Sequence, residues 1–492
     1  MYDRDQLFID GKWASPASKP ASGSESDAVI TVVSPHSEAV IGHAVCAGPA
    51  DVDRAVEAAR AAFDTGPWPR MQPAERIEAL TRLAGIYKER RADMAALISA
   101  EIGAPISFAK RAQVALPLTM ISAFCAFAQN YAWQQARPGL YGKDIRILKQ
   151  PVGVVAAIVP WNMPQFLTVT KVIPALLAGC SVVLKPAPES VLDAQLLADL
   201  VAAADLPPGV LNVVPGGREV GELLVGHSGV DKVSFTGSTA AGRQVALACA
   251  AGLKQVSLEL GGKSAAIVLD DADPSDVATG IQMASLANSG QVCNALSRIL
   301  VPEARKDEYV DALAAAMSSM TVGDPADPNT QIGPLVAKRQ QERVRGYIAS
   351  GQNEGARLVT GGAALPDGLD TGWYVRPTLF SDATNDMRIA REEIFGPVLT
   401  VIPFRDEDEA IRIANDSEYG LAGSVFTTDV DRGYGIAARV RSGTFGVNEG
   451  YIMDPVAPFG GVKNSGYGRE LGTEGIDSYT VSQSISAAAP AN

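Results

Sequence analysis

The sequence predicts a doubly wound α/β fold, and three observations carry that prediction. From residue 152 onward, short apolar runs are separated by helical stretches. The runs Val152 to Val159, Ser181 to Leu184, Val210 to Val214 and Lys232 to Phe235 are mostly continuous in hydrophobicity rather than alternating, as expected of parallel strands buried on both faces beneath helices. The last of these runs leads directly into Gly237-Ser238-Thr239-Ala240-Ala241-Gly242, a strand-to-helix handover of the kind that binds ligands at the C-terminal edge of such sheets.

Taken in order, the elements follow from local chemistry. Residues 73 to 101 place Ile77, Leu80, Leu83, Tyr87, Met94, Leu97 and Ile98 at helical spacing, with Pro73 at the start and Gly103 past the end, which predicts one amphipathic helix. Pro16 to Ser26 reads as loop, and Ala487 to Asn492 as a loose tail. Tyr141 to Lys149 and Tyr479 to Ile485 alternate as hairpin strands do. A helix should start near Thr239, its free N–H groups and positive end suited to a pyrophosphate, although Gly-x-x-x-x-Gly is also what an ordinary capped helix start looks like.

Composition sets limits. The 492 residues exceed what one core usually serves, so at least two domains are expected. A formal charge of −13 without any Lys/Arg-rich block argues against nucleic acid as a partner. No run of 18 or so uninterrupted apolar residues occurs and the N-terminus lacks a basic-then-apolar leader, so no membrane partner and a cytoplasmic location are expected. The five cysteines are scattered without a Cys-x-x-Cys pair, which fits reduced thiols and no metal site. None of the three histidines lies near Cys293 in sequence, so a Cys–His pair is poorly supported.

The chemistry concentrates in two runs, Gly-Gln-Val-Cys-Asn-Ala around Cys293 and Glu-Leu-Gly-Gly-Lys-Ser from Glu259. A thiol beside glycine and small polar residues is open to a substrate, and a carboxylate beside two glycines is open to water; together they suit covalent catalysis with hydrolytic release. Taken singly, Cys293 reads equally as a packed thiol, Glu259 as a strand end, Asn162 as a turn residue and Glu393 with Phe395 as a helix-end charge and a core ring.

Four more runs accompany them in order: Val-Pro-Trp-Asn (159 to 162), Phe-Thr-Gly-Ser (235 to 238), Glu-Glu-Ile-Phe-Gly-Pro-Val (392 to 398) and Pro-Phe-Gly-Gly-Val-Lys-Asn-Ser-Gly-Tyr-Gly-Arg-Glu (458 to 470). The set resembles the NAD(P)-dependent aldehyde dehydrogenase superfamily, from about Leu7 to about Ser482. The resemblance implies an oxidoreductase with Cys293 as nucleophile, Asn162 as oxyanion donor, Glu259 as the base that activates water, and Lys171 and Glu470 in secondary proton or oxyanion roles. The presence of Glu259 implies hydrolysis to the acid rather than transfer to coenzyme A. For the cofactor it implies Val159, Pro160, Trp161, Lys185, Gly221, Phe235, Thr236, Gly237, Ser238, Leu260, Glu393 and Phe395.

One position departs from the pattern. The family often has Glu three residues after the ribose-binding lysine, whereas this chain has Pro188 there and Glu189 next; NAD is expected, with NADP as the other possibility. By motif alignment Met163, Thr170, Val292, Asn294, Met453 and Phe459 should line the aldehyde tunnel, for a medium-sized apolar or amphipathic substrate. The resemblance further implies a Rossmann-like cofactor domain (1–128 and 150–260), an α/β catalytic domain (261–465), and a small β oligomerisation arm (129–149 and 466–492) that makes a homodimer or homotetramer. Competing readings are a non-catalytic binding or structural protein of the same fold and a thiol-dependent esterase.

Overall fold

A computed structural model describes residues 2–19, 28–141, 143–450 and 453–487. Most of the expected loop at 16–26 and nearly all of the tail at 487–492 lie outside the described residues. Four sheets organise the described residues. The first has eight strands, in the order Gly466–Tyr467, Gln255–Glu259, Lys232–Thr236, Val154–Ile158, Ser181–Lys185, Leu211–Val213, Leu7–Ile9 and Lys12–Ala14. Its five central strands are parallel and its outer pairings antiparallel. The strands at 154, 181, 211 and 232 are buried at every residue, and in the first two the sequence hydrophobicity accordingly runs on without alternation. A separate apolar cluster covers each face.

The second sheet has seven strands, with Ser264–Val268, Leu296–Pro302 and Val398–Phe404 at its centre, and is likewise covered on both faces. A three-stranded antiparallel sheet joins Gln134–Pro138, Asp144–Pro151 and Thr480–Ala487. The hairpin strand starts at Asp144 rather than Tyr141, which is exposed in the turn before it. The last sheet joins Tyr2–Arg4, Val40–Val45 and Val29–Val33.

Two boundaries differ from expectation. Residues 73 to 101 form two helices, Pro73–Glu89 and Arg91–Ile102, broken at Arg90. The halves pack chiefly on different partners, the first on the Leu116–Asn130 helix and the second on the π-helical segment Ala109–Ala115, so one straight rod could not bury both apolar stripes. Gly103, with φ 73°, closes the second helix in the left-handed conformation expected of a C-terminal glycine. The segment 466 to 479, assigned above to the arm, instead joins the eight-stranded sheet: Gly466 and Tyr467 pair with Glu259 and Leu258, and the helix Gly472–Asp477 packs on Leu116–Asn130 and Pro164–Ala178. The reach Ile106–Asn130 has mean hydropathy 1.4 over its most apolar stretch, enough by length and composition to cross a membrane. Its residues Met120, Ile121, Phe124 and Ala128 are buried in the core between neighbouring helices.

Candidate active site

The C-terminal edge of the eight-stranded sheet faces the turn that carries Cys293. Between them lies a cavity of about 310 Å³. Pro160, Trp161, Thr236, Gly237, Ser238, Leu260, Glu393 and Phe395, all expected at a cofactor, line it together with Asn162 and Cys293. Leu167, Gln340 and Arg343 line it as well; the sequence reading did not single them out.

Glycine makes the cradle. A Cβ on Gly237 would stand 2.6 Å from the Phe235 ring, and one on Gly261 would stand 2.3 Å from Glu393 Oε2, so at both places the backbone comes closer than any side chain allows. Beyond Gly237 the helix Thr239–Ala251 begins, capped by Ser238 Oγ, which accepts from the Ala241 N–H at 3.3 Å. The Thr236 hydroxyl is buried in this wall without a protein partner. Open N–H groups at a helix start, a glycine approach and an unsatisfied hydroxyl fit the pyrophosphate end of a dinucleotide.

Farther along the edge, Lys185 is buried and donates to the carbonyls of Gly216 at 2.6 Å and Pro186 at 2.9 Å. Burial lowers its pKa to about 8. Gly221 is its neighbour, since a Cβ there would touch Lys185 Cε at 3.4 Å. Glu189 departs from its expected place at a ribose: its carboxylate is ion-paired with Arg339, and with Pro188 it lines a separate hollow that also includes Trp373. The competing guanidinium lies 150 residues on in the chain. Val159 and Phe235 are buried behind the cavity wall.

Asn162 precedes the fully buried helix Pro164–Ala178. Its Nδ2 donates to the Gln291 carbonyl at 3.0 Å, while its own backbone carbonyl accepts from Gln113 Nε2 at 2.8 Å and Asn288 Nδ2 at 3.0 Å. The amide is thereby oriented, and its second N–H is left for the cavity. Asn288, Ser289 and Gly290, with φ of 51°, 58° and 74°, form a left-handed turn that aims the chain at Cys293. Left-handed backbone at non-glycine residues is costly and persists where the surroundings enforce it.

Cys293 is partly exposed to the cavity. Burial first, then the Glu393 and Glu259 carboxylates, push its thiol up to about 12, against the N–H groups of Cys293 and Asn294, which favour the thiolate. Desolvation and two carboxylates thus outweigh the N–H groups. Glu259 is buried, neither carboxylate oxygen has a protein partner, and burial with the nearby Glu470 holds its pKa well above the usual range. Lys171 and Arg469 oppose that rise. Lys171 forms a buried ion pair with Glu470. Thr170, expected on the aldehyde tunnel, gives its hydroxyl to Glu470 Oε2 at 3.1 Å and so serves that pair. Glu393 accepts from the Gly262 N–H at 3.1 Å, and burial raises it to about 7. Phe395, itself left-handed at φ 60°, stands edge-on to Trp161 with ring centroids 5.5 Å apart.

On the far side of the thiol, Met163 and Phe459 belong to the buried apolar cluster against which Cys293 and Met453 pack. Val292 lines a small hollow behind Cys293 with Gly396 and Val398. Asn294 follows Cys293 and turns its backbone N–H to the thiol.

The family model for the aldehyde dehydrogenase family matches residues 22–485. Geranial dehydrogenase from Castellaniella defragrans is 46% identical over 483 residues, which cover 98% of each chain. A solved aldehyde dehydrogenase of Mycobacterium tuberculosis complexed with NAD+ superposes with a TM-score of 0.95 at 46% identity, covering 98% of both chains. A variant of aldehyde dehydrogenase C from Pseudomonas syringae, complexed with NAD+ and octanal, superposes with 0.94 at 41% identity, covering 99% of this chain and 98% of that one. Likeness of this degree over nearly the whole length leaves one conclusion: the chain belongs to the aldehyde dehydrogenase family.

Proposed function

We propose that this protein oxidises a medium-sized apolar or amphipathic aldehyde to its carboxylic acid with NAD+, through a covalent bond to Cys293. One observation carries the reading: the glycine cradle, the oriented Asn162 amide and the Cys293 thiol share a single cavity. When bound, the nicotinamide supplies the hydride acceptor. The cradle at Thr236, Gly237 and Ser238 would hold its pyrophosphate, and Glu393 its nicotinamide ribose.

Cys293 Sγ adds to the aldehyde carbon as the thiol proton leaves to a base. That base is water in the cavity, which leaves Glu259, close enough to act on the thiol's charge and with neither oxygen bonded to a protein partner, for the hydrolysis that follows. The oxyanion is met by the second N–H of Asn162 and the backbone N–H of Cys293, donors in place before charge develops. Loss of hydride from the carbon leaves a thioester on Cys293. Glu259 then removes a proton from water, the new C–O bond forms, the C–S bond breaks, and the sulfur takes up the new acid's proton, which restores the thiol and leaves the carboxylate. Its raised proton affinity suits Glu259 to hold the proton taken from water.

The apolar side of the site, with Met163, Met453 and Phe459, supports an apolar substrate, as do a relative named for geranial and a structural neighbour solved with octanal. Hydride transfer to NAD+ rather than NADP+ is supported by neighbours solved with NAD+. A cytoplasmic location and a homodimer or homotetramer, joined through the exposed strands Gln134–Pro138 and Thr480–Ala487, belong to the same proposal.

The test is a panel of aldehydes including octanal and geranial, run with NAD+ and NADP+ side by side and followed by absorbance of the reduced cofactor. Oxidation of apolar aldehydes with NAD+ is expected. Turnover of esters alone, or reduction of NADP+ in preference, would refute it.

A further inference from the structure

The line of buried polar groups continues past Glu470. The strands Lys232–Thr236 and Gln255–Glu259 run parallel in the register Thr236 with Glu259, Ser234 with Ser257 and Lys232 with Gln255. Alternate side chains therefore share a face. One face presents Val233, Phe235, Val256 and Leu258 to an apolar cluster. The other presents Lys232, Ser234, Thr236, Ser257 and Glu259, polar at every position and each buried. Polar groups inside a sheet covered on both faces cost free energy unless they are paired or used.

These groups are linked. Lys232 Nζ donates to Ser257 Oγ at 2.9 Å and sits 5.3 Å from the centroid of the Tyr479 ring. The Tyr479 hydroxyl donates to Ser234 Oγ at 3.1 Å. Lys171 and Glu470 are near enough to act on the charge of Lys232, and Glu470 on the hydroxyl of Tyr479. At the start of the two strands Gln255 is exposed and Asp231 and Lys254 are partly so. The polar face thus leads from Glu259 to solvent at the end of the sheet remote from the cavity.

The reaction proposed above releases two protons per turnover, one as the thioester forms and one as it is hydrolysed. The second arises at Glu259, at the head of this polar face.

We propose that Lys232, hydrogen-bonded to Ser257 and lying against Tyr479, takes the proton gathered by Glu259 onward from the Lys171–Glu470 pair to solvent at the foot of the sheet. The proton passes from the Glu259 carboxyl to the Glu470 carboxylate. The neutral Lys232 amine accepts it, becomes an ammonium, and loses it to water. Glu259, Glu470 and Lys232 end as they began. Burial lowers Lys232 to about 8, so amine and ammonium are both populated near neutral pH. The groups that face it are Lys171 from the helix beneath, Glu470 and Tyr479 from the C-terminal segment, and the Cys180 and Cys249 thiols.

The inference rests on the proposed reaction and is tested on two variants. Lys232→Met removes the amine; Lys232→Arg keeps a positive charge that cannot be given up. Two readouts are used: the burst of reduced cofactor against steady-state turnover with octanal, and cofactor-free steady-state hydrolysis of 4-nitrophenyl acetate, whose acyl-enzyme leaves by the same water. Both variants should keep the full burst, lose about tenfold or more in steady-state turnover and in ester hydrolysis, and lose the change in turnover near pH 8. Turnover of Lys232→Met within about twofold of wild type, or its recovery in Lys232→Arg as a purely structural charge would allow, overturns the proposal. Should Lys232→Met misfold and lose its burst, Ser257→Ala decides: slowed turnover with the burst intact supports the route, and unchanged turnover overturns it. Absence of any acyl group on Cys293 of the wild-type enzyme, quenched during turnover, would instead overturn the covalent reaction itself.

Discussion

Replacing Gly262 with alanine should cost roughly two orders of magnitude in kcat while leaving the fold in place. Gly262 adopts no left-handed conformation, so alanine is sterically acceptable to its own backbone. The obstacle is across the gap: a Cβ at Gly262 would stand 2.5 Å from the carbonyl oxygen of Cys293, with the Leu421 side chain at 3.3 Å behind. An ordinary non-bonded contact is about 3.5 Å, so the two backbones must part by roughly 1 Å. The same residue donates its N–H to Glu393 at 3.1 Å, so the movement shifts Cys293 and Glu393 together. A displacement of about 1 Å at the reacting atom lowers the rate about a hundredfold, whereas overpacking at one site costs about 1–3 kcal/mol of stability. The assay is pre-steady-state reduction of NAD+ by octanal, with a thermal melt alongside. Wild-type burst rate in a properly folded variant would refute the claim that this glycine positions Cys293.

Three further outcomes are expected. With the Cys293 thiol at about 12, alkylation by iodoacetamide in the absence of cofactor should rise about tenfold per pH unit from pH 7 to pH 10; a plateau below pH 8 would show a thiolate already formed. Burial raises Asp193, beside the buried Glu101 carboxyl, to about 7, so the folded chain holds a proton that the unfolded chain releases near 3.8, and stability from this site is lost as pH rises between those values. Asp193→Asn, which keeps an acceptor for Gln165, should therefore melt about 2 °C or more above wild type at pH 8 and lose that advantage by pH 5, as calorimetry at the two pH values can check. Arg298 donates to the carbonyls of Lys263, Ile413 and Ala414 and to Asn385 Oδ1 at 2.9–3.0 Å, so Arg298→Met should orphan these acceptors and cost roughly 3 kcal/mol or more by urea denaturation.

The parts legible in sequence are those set by short-range chemistry. Gly237 to Thr239 reads as a strand-to-helix turn because glycine, a capping serine and the end of an apolar run follow one another, and the helix does begin at Thr239. Cys293, Asn162 and Glu259 stand out through the ordered motifs around them, and the fold brings Cys293 and Asn162 into one cavity. What escaped is set by distant partners. Nothing near Asn162 announces that Gln113, Asn288 and Gln291 will hold it. Glu189 looked free for a ribose until Arg339, brought from another helix, claimed it. Lys232 to Phe235 read as a strand apolar on both sides, yet in so short a run the period-two alternation of Lys232, Ser234 and Thr236 is easily lost; only the register with Ser257 and Glu259 exposes a polar face.

The central claim is that Cys293 carries the acyl group and Glu259 releases it. It is tested most directly by mixing the Glu259→Gln variant with NAD+ and octanal, quenching within one turnover, and measuring the mass of the intact chain and of the peptide that contains Cys293. The account predicts one equivalent of reduced cofactor per active site and an octanoyl group on Cys293 that persists for many wild-type turnover times. Reduced cofactor without an acyl group on that peptide, or an acyl group on another residue, would contradict it.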